Sequence, residues 1–534
     1  MNKPTSQGHV PEKLPTPPGA DQSKLTRLGG GPLAVLAGTL ILGLWTLWEP
    51  FSRDQGIHAA IALGLTEGLM PYRDIYNIKP PMTTMMHALS QILFGPNPMA
   101  IRALDLIVFA LTALGLHRVT LKLGGSGIAA VLAGLMLGVL YYMMTYWEHA
   151  QTDGWAGFLL VGVVLTLLRG WETGKTRWFA LAGALLAMGF AFKYTVAGAG
   201  LLIFAPLAAP LGRGFRWRDF GAFVAGGLAF LAVVTLWLGL TGALGPYLDI
   251  QRFVLGYVGI DLVGDDSQII RVFKIFSRDR TAAWLLVLGL VGLLLALRGL
   301  PRYAPAITGI WLGAGLLSGF AQGKGFSYHF LPALPPLALL AGLGLSHLAQ
   351  WASRNLSMIQ RKSAAAMAVL AVSLMLPMPQ RSVDSIIAQA QSVSLTPIWA
   401  TDFVTPDYNA IAIRSVSARL DQIRAEDETF FLWGYATGLY LLQNQPPLHR
   451  FPYSWPFSVP HHDGRYTPDL LARLQTAPPD LFLVEFRDAT EWATGHNRDS
   501  RAVLEDYPEI QTFLTTGYRL EETMPRFEIW RRLP

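Results

Sequence analysis

Long uninterrupted apolar runs constrain this chain more than any other feature of its sequence. Five of them read PLAVLAGTLILGLWTLW, GIAAVLAGLMLGVLYYMM, GWAGFLLVGVVLTLL, FGAFVAGGLAFLAVVTLWLGL and AAWLLVLGLVGLLLAL. Each approaches the ~20 residues that a helix needs to cross the hydrocarbon core of a bilayer. Only 15% of the residues are charged, against about 25% in an average soluble domain. The sequence therefore predicts a polytopic α-helical membrane protein.

About eleven such spans can be placed along the chain. They cover residues 33–49, 101–121, 127–146, 154–168, 178–193, 195–211, 219–241, 281–298, 303–320, 326–349 and 363–379. With the N-terminus inside, every connection assigned to the cytoplasm carries Lys or Arg, and such residues in short loops set membrane orientation. We therefore predict a bacterial inner-membrane protein with a cytoplasmic N-terminus and, from the odd count, a periplasmic C-terminus. The same loops account for the net charge of +6, so no nucleic-acid partner is expected.

Three parts are predicted along the chain. Residues 1–32, rich in Pro, Gly and polar groups, are typical of a disordered cytoplasmic tail. Residues 33–379 form the transmembrane domain, with a long first outer loop at 50–100. In residues 380–534, ETFFLW and DLFLVE resemble buried strands, whereas YNAIAIRSVSARLDQI and PDLLARLQ resemble surface helices. This pattern predicts a small extracytoplasmic α/β domain, which has no cysteine and hence no disulfide.

The first outer loop contains two helical patterns. Apolar residues recur at helical spacing at Ile57, Ile61 and Leu65, and again at Met82, Met85, Met86, Leu89, Ile92 and Leu93. The prolines after Lys79 separate the two segments, since proline starts a helix well but interrupts one badly. We predict two amphipathic helices that lie in the membrane interface.

Ionisable residues collect in loops that are all assigned to the outer face. The candidate site residues are Asp54, Arg73, Asp74, Lys79, Asp153, Lys193, Lys324 and His329. Charges beside lipid are costly and usually face a cavity or one another. A carboxylate, several cations and interfacial helices together suit a reaction on a lipid with an anionic head group.

Each of these residues also has a purely structural interpretation. Asp54 could accept a proton from a hydroxyl nucleophile, or it could cap the helix that begins at QGIHAAIA. Lys79 could bind a phosphate as a point charge, or its ammonium could reach the lipid head groups. Lys193 could bind substrate, or it could be the counter-charge of Asp153. The spacing of Glu148, His149 and Asp153 is no recognised metal-ligand signature, so no metal is predicted.

The order of five motifs carries a family resemblance. RDQG…GLMPYRDIYNIKPP, TDGW, GFAFKYT, GKGFSYHFLPALPPLALLAGLGL and FFLWGYATGLYLLQNQPPLHRF follow one another along the chain. In this order they resemble the C-type membrane glycosyltransferases, in the branch of the dolichyl-phosphate-mannose protein mannosyltransferases and the lipid A aminoarabinose transferases. The resemblance covers about residues 33–455. It implies inverting transfer from a polyprenyl-phosphate sugar to a lipid, glycan or protein acceptor, without a cofactor.

The resemblance also implies roles for individual residues. Asp54 would be the general base or acceptor-orienting carboxylate, Lys79 would bind the donor phosphate, and Asp153 would be a second acidic group near the acceptor. His329 falls where the family often carries a His or aromatic cluster. Arg73 or Lys193 would assist Lys79 in stabilising the charge that develops on the leaving phosphate.

Two positions depart from the family pattern. Gln55 stands where the family usually has Glu after the aspartate, and Ile78 replaces the acidic residue that precedes the lysine in the aminoarabinose transferases. Both departures argue against transfer that depends on a metal.

Two other functions and two roles of the C-terminal domain stay open. A transporter or flippase predicts ionisable residues deep in the spans and an inverted repeat, whereas most charges here collect at one face and no such repeat is visible. A non-catalytic subunit of polysaccharide assembly would keep the fold without the chemistry. The C-terminal domain would either pack over the outer site and help to select the acceptor, or serve as a stabilising cap.

Overall fold

The structure is a computed structural model, and it describes residues 30–258, 300–355, 357–360 and 403–534, with single positions 270, 287, 290 and 294 between them. The predicted spans 363–379 and nearly all of 281–298 lie outside the described residues, as does most of the predicted tail. The other nine predicted spans are helical. The α-helices that precede the C-terminal domain are α1 (Gly30–Gly43), α2 (Arg53–Thr66), α3 (Pro81–Phe94), α4 (Pro98–Lys122), α5 (Gly127–Tyr142), α6 (Thr152–Thr173), α7 (Thr176–Phe192), α8 (Ala205–Ala208), α9 (Trp217–Leu240), α10 (Leu244–Val258), α11 (Tyr303–Phe320) and α12 (Leu334–Asn355).

Three of the spans include a 3₁₀ segment. These segments are Leu44–Trp48 after α1, Tyr194–Phe204 before α8 and Ser327–Ala333 before α12. By length and composition, six helical stretches among the described residues could cross a membrane, and three shorter apolar stretches accompany them. The polytopic helical architecture is therefore confirmed, while the count of eleven spans stays a prediction.

Helices α7 and α9 pack with their backbones in contact. A Cβ at Gly183 would overlap the carbonyl group of Phe223, and a Cβ at Gly226 would overlap that of Ala180. Small residues allow such close approach between membrane helices. Helix α7 ends at Phe192, and Lys193 follows it as the C-cap residue with an extended backbone.

The two predicted helices of the first outer loop differ in their surroundings. Helix α3 begins at Pro81 and leaves Leu89, Ile92 and Leu93 exposed, as an interfacial helix should. Helix α2 is buried on nearly every side, because consecutive residues from Ala59 to Leu63 are all buried. The prediction that α2 lies in the membrane interface is therefore wrong; the helix packs inside the protein.

The C-terminal domain (described residues 403–534) has one four-stranded sheet, as an α/β domain requires. Its strands are β1 (Phe430–Trp433), β2 (Leu481–Glu485), β3 (Tyr518–Thr523) and β4 (Phe527–Arg532), in the order β1-β2-β4-β3. Strands β1 and β2 are parallel, and β4 is antiparallel to both β2 and β3. The helices are α13 (Ala410–Ile423), α14 (Gly438–Leu442), α15 (Trp455–Ser458), α16 (Thr467–Thr476), α17 (Glu491–Thr494), α18 (Ser500–Leu504) and α19 (Pro508–Gly517).

The two strands and two helices predicted for this domain are confirmed as β1, β2, α13 and α16. The hairpin of β3 and β4 was not predicted. Its exposed strand β3 carries charged residues rather than a clear apolar alternation.

The C-terminal domain packs directly on the first outer loop. Helix α2 lies so close to α14 that a Cβ at Gly56 would come within 2.9 Å of the backbone nitrogen of Gly438. Further along the loop, the backbone N–H of Tyr76 donates to the carbonyl oxygen of Arg450 at 2.6 Å. The start of α2 and the segment around Tyr76 are therefore covered by this domain.

Candidate functional site

A cavity of about 400 Å³ lies where the first outer loop, the ends of membrane helices and the C-terminal domain meet. Five of the eight candidate residues line it: Asp54, Lys79, Lys193, Lys324 and His329. They come from separate segments of the chain, as the assignment of all of them to one membrane face predicts. The remaining lining is mainly aromatic and aliphatic.

Asp54 lies in the first turn of α2 but does not cap the helix. Ser52 is the N-cap residue and forms a capping box with Gln55, so the structural interpretation of Asp54 as the cap is wrong. The Asp54 side chain instead faces the cavity and is 28% exposed. Its Oδ2 lies 3.9 Å from Nζ of Lys79, a loose ion pair that leaves the carboxylate accessible.

Gln55, the first departure from the family pattern, has a structural role. Its side chain is fully buried, and its Oε1 accepts the backbone N–H of Ser52 at 2.8 Å. Its Nε2 donates to the carbonyl oxygens of Tyr146 and His149, at 3.1 and 2.6 Å. A glutamate could not donate to these carbonyls, because an ionised carboxylate only accepts. The amide thus holds the start of α2 to the loop between α5 and α6, residues 143–151, which is called the second outer loop.

Lys193 and Asp153 form the counter-charge pair that was one of the two interpretations. Nζ of Lys193 lies 3.2 Å from Oδ2 of Asp153. The other oxygen of Asp153 accepts a hydrogen bond from Nε2 of Gln322 at 2.8 Å. Asp153 is fully buried and does not line the cavity, whereas Lys193 does. The structure therefore places Asp153 behind Lys193 and out of direct contact with a molecule in the cavity.

Lys324 and His329 line the same cavity beside aromatic rings. Nζ of Lys324 donates to the carbonyl oxygen of Tyr257 at 3.0 Å and lies 4.3 Å from the centre of that ring. The His329 ring packs edge-on against Tyr328, with centroids 4.6 Å apart. The Tyr328 ring centre in turn lies 5.9 Å from Nζ of Lys79. These rings keep the cationic side chains close to the cavity.

Arg73 and Asp74 are not brought to the cavity. They pair with each other at 2.6 Å on the surface, and Arg73 is 47% exposed. The Arg73 guanidinium also donates to the carbonyl oxygen of Thr241 at 2.8 Å. This position gives no support to the predicted substrate role of either residue. Both residues lie in the connection between α2 and α3, residues 67–80, where the backbone N–H of Met70 donates to the Asp74 carboxylate at 2.7 Å.

A buried cluster that was not predicted holds the outer loops together. Glu49 lies 3.2 Å from Nη1 of Arg102 and 3.0 Å from Nδ1 of His149. Arg102 also donates to the carbonyl oxygens of Pro50 and His149. Burial lowers the pKa of His149, but the Glu49 carboxylate outweighs it and raises the pKa above its usual value. The cluster supports the loop that leads to Asp54.

The acidic and histidine side chains of the second outer loop face different partners. His149 binds Glu49, whereas Glu148 accepts hydrogen bonds from the hydroxyl groups of Thr145 and Ser327. Across the described residues, no three His, Asp or Glu side chains are grouped so that they could hold a metal ion.

The C-terminal domain contributes a wall of the cavity that sequence reasoning missed. Its lining residues are Tyr435, Tyr453, Trp455, Thr490, Trp492 and Ala493. Periodicity shows which face of an element is apolar but not what that face meets. The motif FFLWGYATGLY marked the region of Tyr435, whereas nothing in the sequence singled out Trp492.

The chain is similar to known proteins both in one segment of its sequence and in its fold. Residues 78–238 match the family model described as "Dolichyl-phosphate-mannose-protein mannosyltransferase". No curated protein sequence gives a significant match. Two crystal structures of ArnT from Cupriavidus metallidurans are similar, one bound to undecaprenyl phosphate (TM-score 0.56) and one in the apo state (0.58). Each is 14% identical, and the match covers 95% of this chain and 98% of that chain.

These similarities confirm the resemblance seen in the motifs. The family match includes Lys79, Asp153 and Lys193, and the structural match extends over nearly the whole chain, including the small C-terminal domain. The chain therefore has the C-type membrane glycosyltransferase fold of ArnT, and its segment 78–238 matches the protein mannosyltransferase family.

Proposed function

We propose that the protein is an inverting glycosyltransferase that moves a sugar from a polyprenyl-phosphate donor to an acceptor hydroxyl at the periplasmic face of a bacterial inner membrane. The observation that carries this proposal is the cavity in which Asp54 meets Lys79, Lys193 and Lys324. One accessible carboxylate and three ammonium groups provide a base for a hydroxyl and a binding site for a phosphate. The acceptor is a lipid, a glycan or a protein.

The three lysines bind the phosphate of the donor. Lys79 and Lys193 have side chains that are each 14% exposed, and both reach the cavity. Preorganised cations in a site that excludes water stabilise the charge of a leaving phosphate without reorganising during the reaction. The ArnT structure with undecaprenyl phosphate supports a polyprenyl phosphate as the carrier, since the two chains share their fold.

The polyprenyl chain leaves the cavity along helix α10. Val254, Leu255 and Val258 line the cavity, and Leu255 is 69% exposed. An exposed apolar edge beside a site of charged groups marks a contact with lipid or an apolar ligand. The head group thus lies among the lysines, and the isoprenoid tail extends into the bilayer.

The reaction is a single displacement at the anomeric carbon. The acceptor hydroxyl gives its proton to Asp54 while its oxygen bonds to the anomeric carbon, and the bond from that carbon to the phosphate oxygen breaks. Polyprenyl phosphate leaves with the electron pair, so no strong general acid is needed, and the configuration inverts. Lys79 stabilises the charge that develops on the phosphate.

Asp153 acts through Lys193 in this mechanism. It is buried, and it holds the ammonium group at 3.2 Å. We therefore assign it to positioning the cation, instead of to the acceptor contact that the family resemblance implies.

The test is sugar transfer by the purified full chain in sealed proteoliposomes. Undecaprenyl-phosphate mannose and undecaprenyl-phosphate aminoarabinose serve as donors, and a bacterial membrane extract serves as the source of acceptors. We expect transfer with wild type, loss of transfer with Asp54→Asn, and normal transfer with Asp506→Asn, an exposed carboxylate of the C-terminal domain. If the donor lipid moves across the bilayer and no sugar is transferred, the protein is a flippase and the proposal is wrong. No turnover and no movement would favour a non-catalytic subunit.

A further inference from the structure

Arg53, the residue directly before Asp54, is held by the C-terminal domain. It is the first residue of α2, and its side chain is 5% exposed. Its Nη1 lies 2.9 Å from Oδ2 of Asp407, and its Nη2 donates to the carbonyl oxygen of the same residue. Side chain and backbone of one residue thus accept the two arms of the guanidinium fork, a geometry that fixes the direction of the arginine.

Four aromatic rings surround the same guanidinium. Its carbon lies 5.6 to 5.9 Å from the ring centres of Trp147, Tyr408, Tyr435 and Trp492. Trp147 belongs to the second outer loop, and the other three belong to the C-terminal domain. Tyr408 also donates its hydroxyl to the carbonyl oxygen of Phe51, just before α2. The start of the helix is therefore fixed from several directions.

Asp407 is the counter-ion in direct contact with Arg53. Burial raises the pKa of Asp407, but the Arg53 guanidinium and the hydroxyl of Thr405 outweigh burial, and the pKa lies below its usual value. Two further carboxyl groups of the domain, Glu485 and Asp488, are fully buried, and burial raises the pKa of both. Among the described carboxylates, Asp407 is the one that lies within ion-pair distance of Arg53.

An ion pair of this kind, in which Arg53 is buried and Asp407 is partly exposed, adds little net stability. Desolvating two charges usually offsets their attraction, and a pair of apolar residues often stabilises a fold as well or better. The arrangement is better explained as a means of fixing the orientation of the start of α2 than as a source of stability. Arg53 itself lines the cavity, and another domain holds its guanidinium one position before Asp54, the carboxylate that faces the same cavity.

We propose that Arg53 is a positioning residue and that the C-terminal domain, through Asp407 and the rings around Arg53, aligns Asp54 with the acceptor hydroxyl. The inference rests on the proposed function, because it takes Asp54 as the base. It gives the C-terminal domain a part in the reaction beyond that of a cap. Misplacing a reacting group by about 1 Å can cost roughly 100-fold in rate.

The single variant Asp407→Asn has an ambiguous outcome, because it leaves a buried cation without its counter-ion and destabilises the fold. The paired variant Arg53→Met with Asp407→Asn removes both charges and keeps the volume of the arginine stem. Its thermal unfolding midpoint is expected to return to within a few degrees of wild type, about 2–4 °C. A matched control is Arg419→Met with Glu522→Gln, an exposed ion pair at 2.7 Å inside the C-terminal domain.

The experiment measures kcat, KM and the unfolding midpoint of the full chain in nanodiscs, with undecaprenyl phosphate binding as a separate readout. We expect the paired variant to bind undecaprenyl phosphate like wild type and to lose roughly 10- to 100-fold in kcat with KM unchanged. The control pair should match wild type in all four measurements. If the paired variant regains activity together with stability, the role of Arg53 is structural and the inference fails.

The same assay separates this inference from the proposed function. Normal kcat in the paired variant and no turnover in Asp54→Asn would refute the role of Arg53 and leave Asp54 as the base. Turnover retained in Asp54→Asn would refute the proposed function itself. A paired variant that fails to fold is replaced by Arg53→Lys, which keeps the charge but loses the fork, and for which the same loss of kcat is expected.

Discussion

The molecule contains two aspartate–lysine pairs at one cavity, and they are built differently. Asp54 and Lys79 are 3.9 Å apart, and the Asp54 side chain is 28% exposed. Asp153 and Lys193 are 3.2 Å apart, and Asp153 is fully buried with a second hydrogen bond from Gln322. In the first pair the ion pair is loose and the aspartate is accessible from the cavity, whereas in the second pair the aspartate is buried and inaccessible.

This difference teaches that the residue types alone do not assign the roles. An accessible carboxylate can exchange a proton with a bound molecule. A buried one that does not line the cavity, such as Asp153, can only hold its partner, because it has no contact with the reacting atoms. The comparison predicts that equivalent substitutions in the two pairs separate activity from stability.

The largest effect is expected from Asp54→Asn. Removing a general base costs about 10²- to 10⁴-fold in rate, so kcat should decrease by a factor in that range. Because the Asp54–Lys79 pair is loose and partly exposed, unfolding stability should change by no more than about 1 kcal/mol. Transfer assays and thermal unfolding on one preparation check both. If Asp54→Asn and Asp153→Asn lose the same amount of stability, the two pairs do not differ in their structural role, and the comparison is wrong.

Lys79→Met should have the next largest effect on the reaction. Removing one preorganised group that stabilises developing charge costs about 10²- to 10³-fold in kcat. Binding of undecaprenyl phosphate should weaken as well, because Lys79 is a contact to the phosphate. Lys122→Met, at an exposed ion pair with Glu172, is the matched control and should leave both unchanged. Unaltered phosphate binding in Lys79→Met would limit Lys79 to pairing with Asp54.

Asp153→Asn should act first on stability. It leaves the Lys193 ammonium without its buried counter-charge, which costs about 3 kcal/mol when a buried pair is broken. The added change Lys193→Met should restore much of this stability but not the activity, because the second lysine at the phosphate is then missing. Chemical unfolding of the single and paired variants measures the coupling. If Asp153→Asn alone is as stable as wild type, Lys193 does not depend on Asp153 as its buried counter-charge, and the prediction is wrong.

Much of this arrangement follows from the sequence, because hydropathy and loop charge are local properties. These two properties suffice to assign Asp54, Lys79 and Lys193 to one face of the membrane. The sequence does not show that Gln55 joins α2 to the second outer loop, since its amide meets carbonyl groups about 90 residues further along the chain. Likewise, the aromatic wall around Arg53 comes mostly from residues beyond position 400.

Helix α2 shows why the remaining features escape sequence reasoning. Its spaced apolar residues predict one apolar face, yet Ala59, Ala60 and Ala62 are buried as well. Small side chains accept close packing on any side of a helix, so composition does not reveal that the C-terminal domain covers it. The same limit applies to Arg73 and Asp74, whose position depends on a turn instead of on a repeating pattern.

The smallest effect is expected for the exposed pair of Arg73 and Asp74, which extends the comparison to charged residues outside the cavity. Arg73→Met with Asp74→Asn removes two charges from the first outer loop, as the variants of Asp54 and Lys79 do, but the pair does not line the cavity. An exposed ion pair contributes about 0–1 kcal/mol, so the free energy of unfolding should stay within about 1 kcal/mol of wild type, and kcat should stay within roughly threefold of wild type. Kinetics with an undecaprenyl-phosphate donor check this. If kcat falls as much as in Lys79→Met, Arg73 and Asp74 take part in the reaction although they do not line the cavity. In that case, lining the cavity does not by itself identify the functional residues.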